Sequence, residues 1–279
     1  MATGPALKAA LVSALLLAAC LLAWHVATLP KAVAGAAVDP EYAKLMGLDK
    51  AKSDGLPTLS QLGATAWKQL SPPFSDAGSN DTGIGIQLAY SLGRVGLGFS
   101  LAALVAIPLG FVIGLSPLAH RALNPFIQVL KPISPLAWMP LALYTIKDSA
   151  ASSIFVIFVC SLWPMLINTA HGVASVRREW LSVARTLEAG TWRTCLQVIL
   201  PAAAPVILTG MRISMGIAWL VIVAAEMLVG NLGIGYFVWN EWNNLSLANV
   251  IFAILVIGVV GMILDLMFAA LQRAVTYTE

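Results

Sequence analysis

Four ionisable residues lie inside long apolar runs of the sequence: Arg94, Arg212, Glu226 and Asp265. A charge inside a membrane-spanning segment is costly, and it is by default a candidate for a functional site. An arginine there can hold a small anion, because its guanidinium offers several N–H donors. The competing interpretation is that these residues form ion pairs that lock neighbouring helices together.

The spacing of these residues limits which of them can pair. Arg212 and Glu226 are 14 residues apart in the chain, hence about 21 Å apart along one helix, and they cannot contact each other. Depth within the apolar runs matches Arg212 with Asp265 and matches Glu226 with either Arg94 or Lys147. Arg94 or Arg212 could instead offer a transient positive site for a small anion.

Large apolar side chains near these charges could form constrictions along a translocation pathway, although core packing is their ordinary role. The candidate pathway residues are Arg94, Arg212, Glu226, Trp138, Met139 and Trp219.

A second chemical feature is the polar stretch between residues 172 and 205. It carries four arginines and two glutamates between two apolar runs. Arginine forms bidentate contacts with acidic groups, so the stretch suggests a docking surface for a partner in the cytoplasm. The alternative is a solvated basic loop without a partner.

Catalytic and metal-binding motifs do not appear in the sequence. There is no GxxxxGK[ST] phosphate loop, so we expect this chain not to hydrolyse ATP. The three cysteines are far apart from one another, and no spacing of cysteine and histidine suggests a metal site. No nucleophile and base are placed to act together, which argues against a membrane-embedded enzyme.

The composition identifies what must position these residues. Apolar residues make up 59% of the 279-residue chain, charged residues only 10%, and the mean hydropathy is +0.86. A soluble protein is roughly 25% charged, so we expect lipid to surround this one. The apolar runs predict an all-α membrane protein of six helices, over residues 9–29, 83–119, 132–146, 149–176, 205–229 and 245–271.

Two divisions of the chain follow from these runs. Residues 1–82 comprise the first helix and a hydrophilic external segment, and residues 83–279 form a five-helix core. A cleavable signal peptide is the competing interpretation of residues 9–29, but that run is longer than the usual ~7–15 residues. Lysines and arginines are concentrated in the loops on one side, which places both termini and the 172–205 loop in the cytoplasm.

The charged loop resembles that of the membrane subunit of a bacterial ABC importer. That family carries EAA, three residues, Gly, nine residues, then I-x-L-P. Counting back from Leu200 and Pro201, Val198 takes the isoleucine place and Glu188 the glycine place. Residues 182–184 (SVA) take the EAA place, so only Ala184 is kept there, and Gly190 lies two residues beyond the expected glycine.

The resemblance extends over about residues 91–278. SLGRVGLGFSLAALVAIPLGFVIGLS and LKPISPLAWMPLAL are similar to the nitrate, sulfonate, taurine and bicarbonate branch, and TGMRISMGIAWLVIVAAEMLVGNLGIGYFVW to the nitrate permeases. The resemblance implies the type I permease fold, a homodimer in the bacterial inner membrane, cytoplasmic ATPase subunits that hold ATP and Mg, and an external solute-binding protein. It implies no cofactor on this non-catalytic chain.

The function expected from the resemblance is ATP-driven import of a small inorganic anion, most simply nitrate. An importer of sulfonate or taurine, cyanate or bicarbonate would share nearly all these features, and a stand-alone secondary anion carrier is the alternative of another class. The residues expected to couple this chain to the ATPase are Arg178, Glu179, Ala184, Arg185, Glu188, Ala189, Gly190 and Pro201.

Overall fold

The computed structural model describes residues 3–28, 56–76, 78, 82–230 and 232–275 of the chain. This described part is helical, apart from connecting turns and one isolated bridge between Asp76 and Thr82, which confirms the predicted all-α class. The helices are α1 Thr3–Ala27, α2 Leu59–Leu70, α3 Ile84–Leu115, α4 Pro117–Leu130, α5 Pro135–Ile146, α6 Ser149–Ala174, α7 Arg178–Thr186, α8 Thr191–Thr194, α9 Leu200–Val229, α10 Ile234–Asn243 and α11 Leu247–Val275, with a π-helix over Cys195–Ile199 between α8 and α9.

Five of the described helices are long and apolar enough to cross a membrane, namely α1, α3, α6, α9 and α11. The bent pair α4 and α5 makes a sixth crossing if it is counted as one span, and its two helices meet at 91°. The predicted helices over residues 83–119 and 132–146 leave residues 120–131 outside any helix, whereas the structure has a helix over Pro117–Leu130. Pro117 at the first position of α4 favours this, since its fixed φ is preorganised for a helix.

Contacts within residues 74–240 fix the directions of the helices. Gly98 of α3 lies against Ile157 of α6, and Gly110 lies against Thr169, so α3 and α6 run in the same direction. The chain must therefore return across the bundle between them, and only α4 and α5 are available. α5 ends at Ile146, and the next residue, Lys147, adopts a left-handed φ of 60° in the turn that leads to α6.

α3 and α6 pack closely because small residues lie at their contact. A Cβ added at Gly110 would stand 2.6 Å from Cβ of Thr169, and one added at Gly98 would stand 2.7 Å from Cγ2 of Ile157. Small residues let membrane helices approach each other in this way. α9 runs antiparallel to α6, with Gly210 against Asn168 and Gly172 against Val206.

Contacts divide the chain into two compact units, residues 1–73 with 241–253, and residues 74–240 with 254–279. In the first unit, the Trp24 indole donates to the Pro57 carbonyl at 3.0 Å, and Thr58 caps α2 in a capping box with Gln61. Most of the expected external segment lies outside the described residues. The division into residues 1–82 and 83–279 stays a prediction.

Candidate functional site

The loop between α6 and α9 contains a short helix whose end has a defined geometry. α7 ends in a Schellman motif: the Ala189 N–H donates to the Ala184 carbonyl and the Glu188 N–H donates to the Arg185 carbonyl, both at 3.0 Å. Glu188 adopts a left-handed φ of 50°, a position where glycine is the usual residue. The count back from Leu200 and Pro201 therefore locates the turn correctly, and Glu occupies it.

Gly190, by contrast, does not replace the expected glycine. Its φ is −60°, which any residue adopts, and a Cβ added there would meet no atom within 4 Å. The turn lies at Glu188, and Gly190 only precedes α8.

The predicted coupling residues of this loop differ in how exposed they are. Ala184 is only 5% exposed, so its methyl group is covered by this chain, and its role in coupling stays a prediction. Ala189 is half-buried, and the remaining predicted coupling residues are exposed: Arg178, Glu179, Arg185, Glu188, Gly190 and Pro201.

Three apolar side chains on the loop surface were missed by sequence reasoning. Leu187 is 75% exposed, Trp192 is 78% exposed, and Trp180 lies under the Arg177 guanidinium at 5.7 Å. Large apolar residues within a polar stretch were the available signal. A cavity of about 300 Å³ beside Trp180 is lined further by Gln197, Val198, Pro201 and Ala202 at the start of α9.

The intramembrane charges form both of the ion pairs that depth suggested. The first joins α3 to α9: Nη1 of Arg94 lies 2.7 Å from Oε1 of Glu226, and the side chains are 8% and 1% exposed. Arg94, rather than Lys147, is therefore the partner of Glu226. Arg94 also donates to the Leu232 carbonyl.

The Glu226 carboxylate is satisfied by further donors. The Ser91 hydroxyl donates to it at 2.8 Å and the Gly235 N–H at 3.0 Å. Around it, the Ile234 N–H donates to Ser91 Oγ at 2.9 Å, and the Gly233 N–H donates to the Gln87 side chain at 2.6 Å. Side chains of α3 thus bond the backbone of residues 232–234, where α10 begins.

This network leaves no room at the carboxylate. A Cβ added at Gly233, whose φ is 154°, would stand 2.1 Å from Cδ of Glu226. One added at Gly235 would stand 2.1 Å from the Val223 carbonyl oxygen. Glycine is therefore required at both positions, because Gly233 packs against Glu226 and Gly235 packs against Val223.

The second ion pair joins α9 to α11 and has a different environment. Nε and Nη2 of Arg212 donate to the two carboxylate oxygens of Asp265, each at 2.6 Å, and the side chains are 37% and 50% exposed. The pair borders a cavity of about 430 Å³. Trp219 lies on the same cavity and donates from its indole to the Ile257 carbonyl at 3.0 Å.

The structure therefore brings together only some of the predicted pathway residues. Arg212 and Trp219 share one cavity with Asp265. Arg94 and Glu226 are buried against each other, and Met139 on α5 is 1% exposed while Trp138 is half-buried. Among the described residues, no three His, Cys, Asp or Glu side chains are grouped to hold a metal.

The sequence of this chain is similar to those of known transport proteins. The model of a family described as "binding-protein-dependent transport system inner membrane component" matches residues 106–277. The nitrate import permease protein NrtB of Synechocystis sp. is 42% identical over 228 residues, which cover 82% of this chain and 83% of that protein. The bicarbonate transport system permease protein CmpB of the same organism is 41% identical over 204 residues, or 73% of each chain.

A solved structure shares the fold at low sequence identity. It is a chain of the MetNI methionine ABC transporter in an inward-facing conformation, and it aligns with a TM-score of 0.61 at 13% identity. The alignment covers 68% of this chain and 94% of the other.

Proposed function

The chain belongs to the family of binding-protein-dependent inner membrane transport components, the permeases of ABC importers, and from this premise we propose that it carries nitrate. The observation that carries the proposal is the 42% identity to a nitrate import permease over 82% of this chain. The chain is a translocation subunit and not an enzyme.

Bicarbonate is the second candidate for the transported anion. Bicarbonate permeases are 41% and 43% identical over 73% and 72% of this chain, an identity close to that of the nitrate permease but over a shorter part of the chain. Nitrate and bicarbonate are both planar, singly charged oxyanions, so one arginine can recognise either of them through the same donors.

The proposed assembly contains two copies of this chain, cytoplasmic ATPase subunits that hold ATP and Mg, and an external solute-binding protein. ATP binding on the ATPase subunits would drive alternating access, with force passing through the loop between α6 and α9. The continuous run of helix from Thr191 through the π-helix to Val229 supports this, because a rigid helix transmits a displacement along its length.

We place the protein in the bacterial inner membrane with both termini in the cytoplasm. α3 and α6 end on the side of the bundle from which α7 emerges, and this side carries Arg121, Lys131 and the loop arginines. Basic residues in short loops favour the cytoplasm. α11 runs antiparallel to α9, so Arg273 in its last turn lies on the same side.

Arg212 is the residue that we propose to contact the anion during passage. It is already neutralised by Asp265, so an arriving anion competes with a carboxylate and is held only transiently. The bordering cavity of about 430 Å³ gives the anion access. Arg94, Trp138, Met139 and Glu226 are instead assigned to packing of the permease core.

Transport of labelled nitrate tests the choice of anion. The complete importer is expressed in a strain that lacks its own nitrate and bicarbonate importers, and uptake of ¹⁵N-nitrate and ¹⁴C-bicarbonate is measured. We expect nitrate to accumulate only when all subunits are present. Accumulation of bicarbonate without nitrate would assign the second candidate, and accumulation without the ATPase subunits would support a secondary carrier.

Substitution of an apolar residue on the surface of the loop tests whether the ATPase docks there. We expect Leu187→Asp to reduce co-purification of the ATPase subunits at least about tenfold, because a charge would replace a buried apolar contact at the interface. Leu245→Asp is the matched control, since Leu245 is 88% exposed in the turn between α10 and α11. Equal recovery of the ATPase with both variants would exclude Leu187 from the interface.

A further inference from the structure

The connecting helix α4 has two chemically different faces. Leu118, Phe126 and Val129 project outward and are 79%, 66% and 68% exposed. The other face carries polar residues at helical spacing: His120, Arg121, Asn124, Gln128 and Lys131. Ser116 caps the helix by accepting from the Ala119 N–H at 3.2 Å. Helices of this kind lie at the boundary between lipid and water.

The polar face of α4 lines a cavity of about 550 Å³. The cavity is completed by the ends of α3 and α6, which contribute Ile113, Leu166, Ile167 and His171 among its lining residues. The cavity therefore lies where the membrane-spanning helices α3 and α6 end, beside α4 at the boundary between lipid and water.

The charge of the cavity is of one sign. Arg121, Lys131, His120 and His171 are among its lining residues, and no carboxylate is. Arg121 and Lys131 carry full positive charges at neutral pH. The amides of Asn124 and Gln128 add further donors beside them.

We infer that this cavity binds the headgroup of an anionic phospholipid. A cluster of basic and amide side chains matches a phosphate group, while the isoleucines and leucine of α3 and α6 match the first part of the acyl chains. Basic pockets between membrane helices at a membrane surface bind anionic lipid headgroups in this way. A small free anion would bind only the polar part of the lining and would leave the apolar part uncovered.

The bound lipid would hold α4 in place. α4 packs loosely, since none of its residues is buried, yet it connects α3 to α5, which it meets at 91°. A headgroup bonded to Arg121 and Lys131 on one side and to His171 on the other would bridge α4 to α6. The inference does not depend on which anion is transported.

Lipid retention by the purified complete complex tests the inference. The complex is titrated with short-chain phosphatidylglycerol or phosphatidylcholine, and bound lipid is counted by native mass spectrometry. We expect preferential retention of phosphatidylglycerol. Arg121→Gln and Lys131→Gln should each weaken it about fivefold, because one basic residue near an anionic surface contributes about 1 kcal/mol.

Two control variants separate the cavity from general basic charge. Arg273→Gln removes an exposed positive charge from the last turn of α11 and should leave retention unchanged. Arg121→Lys keeps the charge and should retain most of the lipid. An equal loss with Arg273→Gln, or no loss with Arg121→Gln, would overturn the inference.

Other occupants give distinguishable results in the same experiment. Displacement of phosphatidylglycerol by millimolar nitrate or inorganic phosphate, with the same dependence on Arg121, would assign the cavity to a small anion and overturn the lipid. A change from dimer to monomer on Arg121→Gln, without any preference for phosphatidylglycerol, would instead assign it to a second copy of the chain.

Discussion

The two arginine–carboxylate pairs of this protein share one helix and differ in almost every other respect. Glu226 and Arg212 both lie on α9, and their partners lie on α3 and α11. The first pair is surrounded by protein and receives two further hydrogen bonds from Ser91 and Gly235. The second pair has two parallel hydrogen bonds and borders an open cavity.

The difference shows how environment divides the roles of the same two residue types. A buried charge with all its hydrogen bonds made can be removed only at great cost, so it fixes the geometry of its helices. A pair that borders a cavity has space beside it for an arriving anion, so it can exchange its partner. The first pair therefore suits a lock between α3 and α9, and the second suits a site that changes during transport.

Neutralising the carboxylate of each pair gives the largest expected contrast in stability between the two pairs. Glu226→Gln keeps the shape of the side chain but leaves the buried Arg94 without its counter-charge, and we expect it to lower the free energy of unfolding by about 3 kcal/mol. Asp265→Asn should leave the midpoint of thermal unfolding nearly unchanged. The measurement is thermal unfolding of the purified complex in detergent.

That contrast would be broken by equal destabilisation of the two variants. Such a result would mean that water is excluded from the Arg212–Asp265 pair as it is from the buried pair. The Arg212–Asp265 pair would then also hold its two helices together. Glu179→Gln, an exposed carboxylate on α7, controls for the general effect of losing a negative charge.

Glycine substitutions test the same contrast without changing any charge. Gly233→Ala places a methyl group into the Glu226 carboxylate at a φ of 154°, and we expect a loss of about 2 kcal/mol from the strain and the collision. Gly216 lies on the cavity beside Arg212, and a Cβ there would meet no atom within 4 Å. Gly216→Ala should therefore be tolerated, and a loss as large as that of Gly233→Ala would show that the cavity is filled by another part of the assembly.

Helix rise alone predicted much of this arrangement. Depth along the apolar runs excluded a pair between Arg212 and Glu226 and matched Arg212 with Asp265, as the structure has them. It could not choose between Arg94 and Lys147 for Glu226. That choice depends on the turn into α10, where the first two residues of the helix donate to Ser91 and Glu226, and a turn of this kind has no periodic signal.

The exposure of individual side chains was less predictable from the sequence than the pairing of the charges. Spacing in the loop located the turn at Glu188, although glycine was expected there, because the count to Leu200 and Pro201 reflects the length of α8 and the π-helix. The same spacing did not reveal that Ala184 is covered by its own chain. Alanine fits buried and exposed helix faces equally well, so only the packed structure distinguishes the two.

The smallest expected effect on stability, and the most informative for transport, is that of Arg212→Gln. Thermal unfolding should stay close to that of the wild type because the pair is exposed, while nitrate uptake falls at least about tenfold, the loss expected when a charged hydrogen-bond donor to an anion is removed. ATPase activity stimulated by the binding protein should remain, since the loop between α6 and α9 is untouched. Arg94→Gln should reduce stability, uptake and ATPase activity together, and unchanged uptake in Arg212→Gln would remove that residue from the pathway.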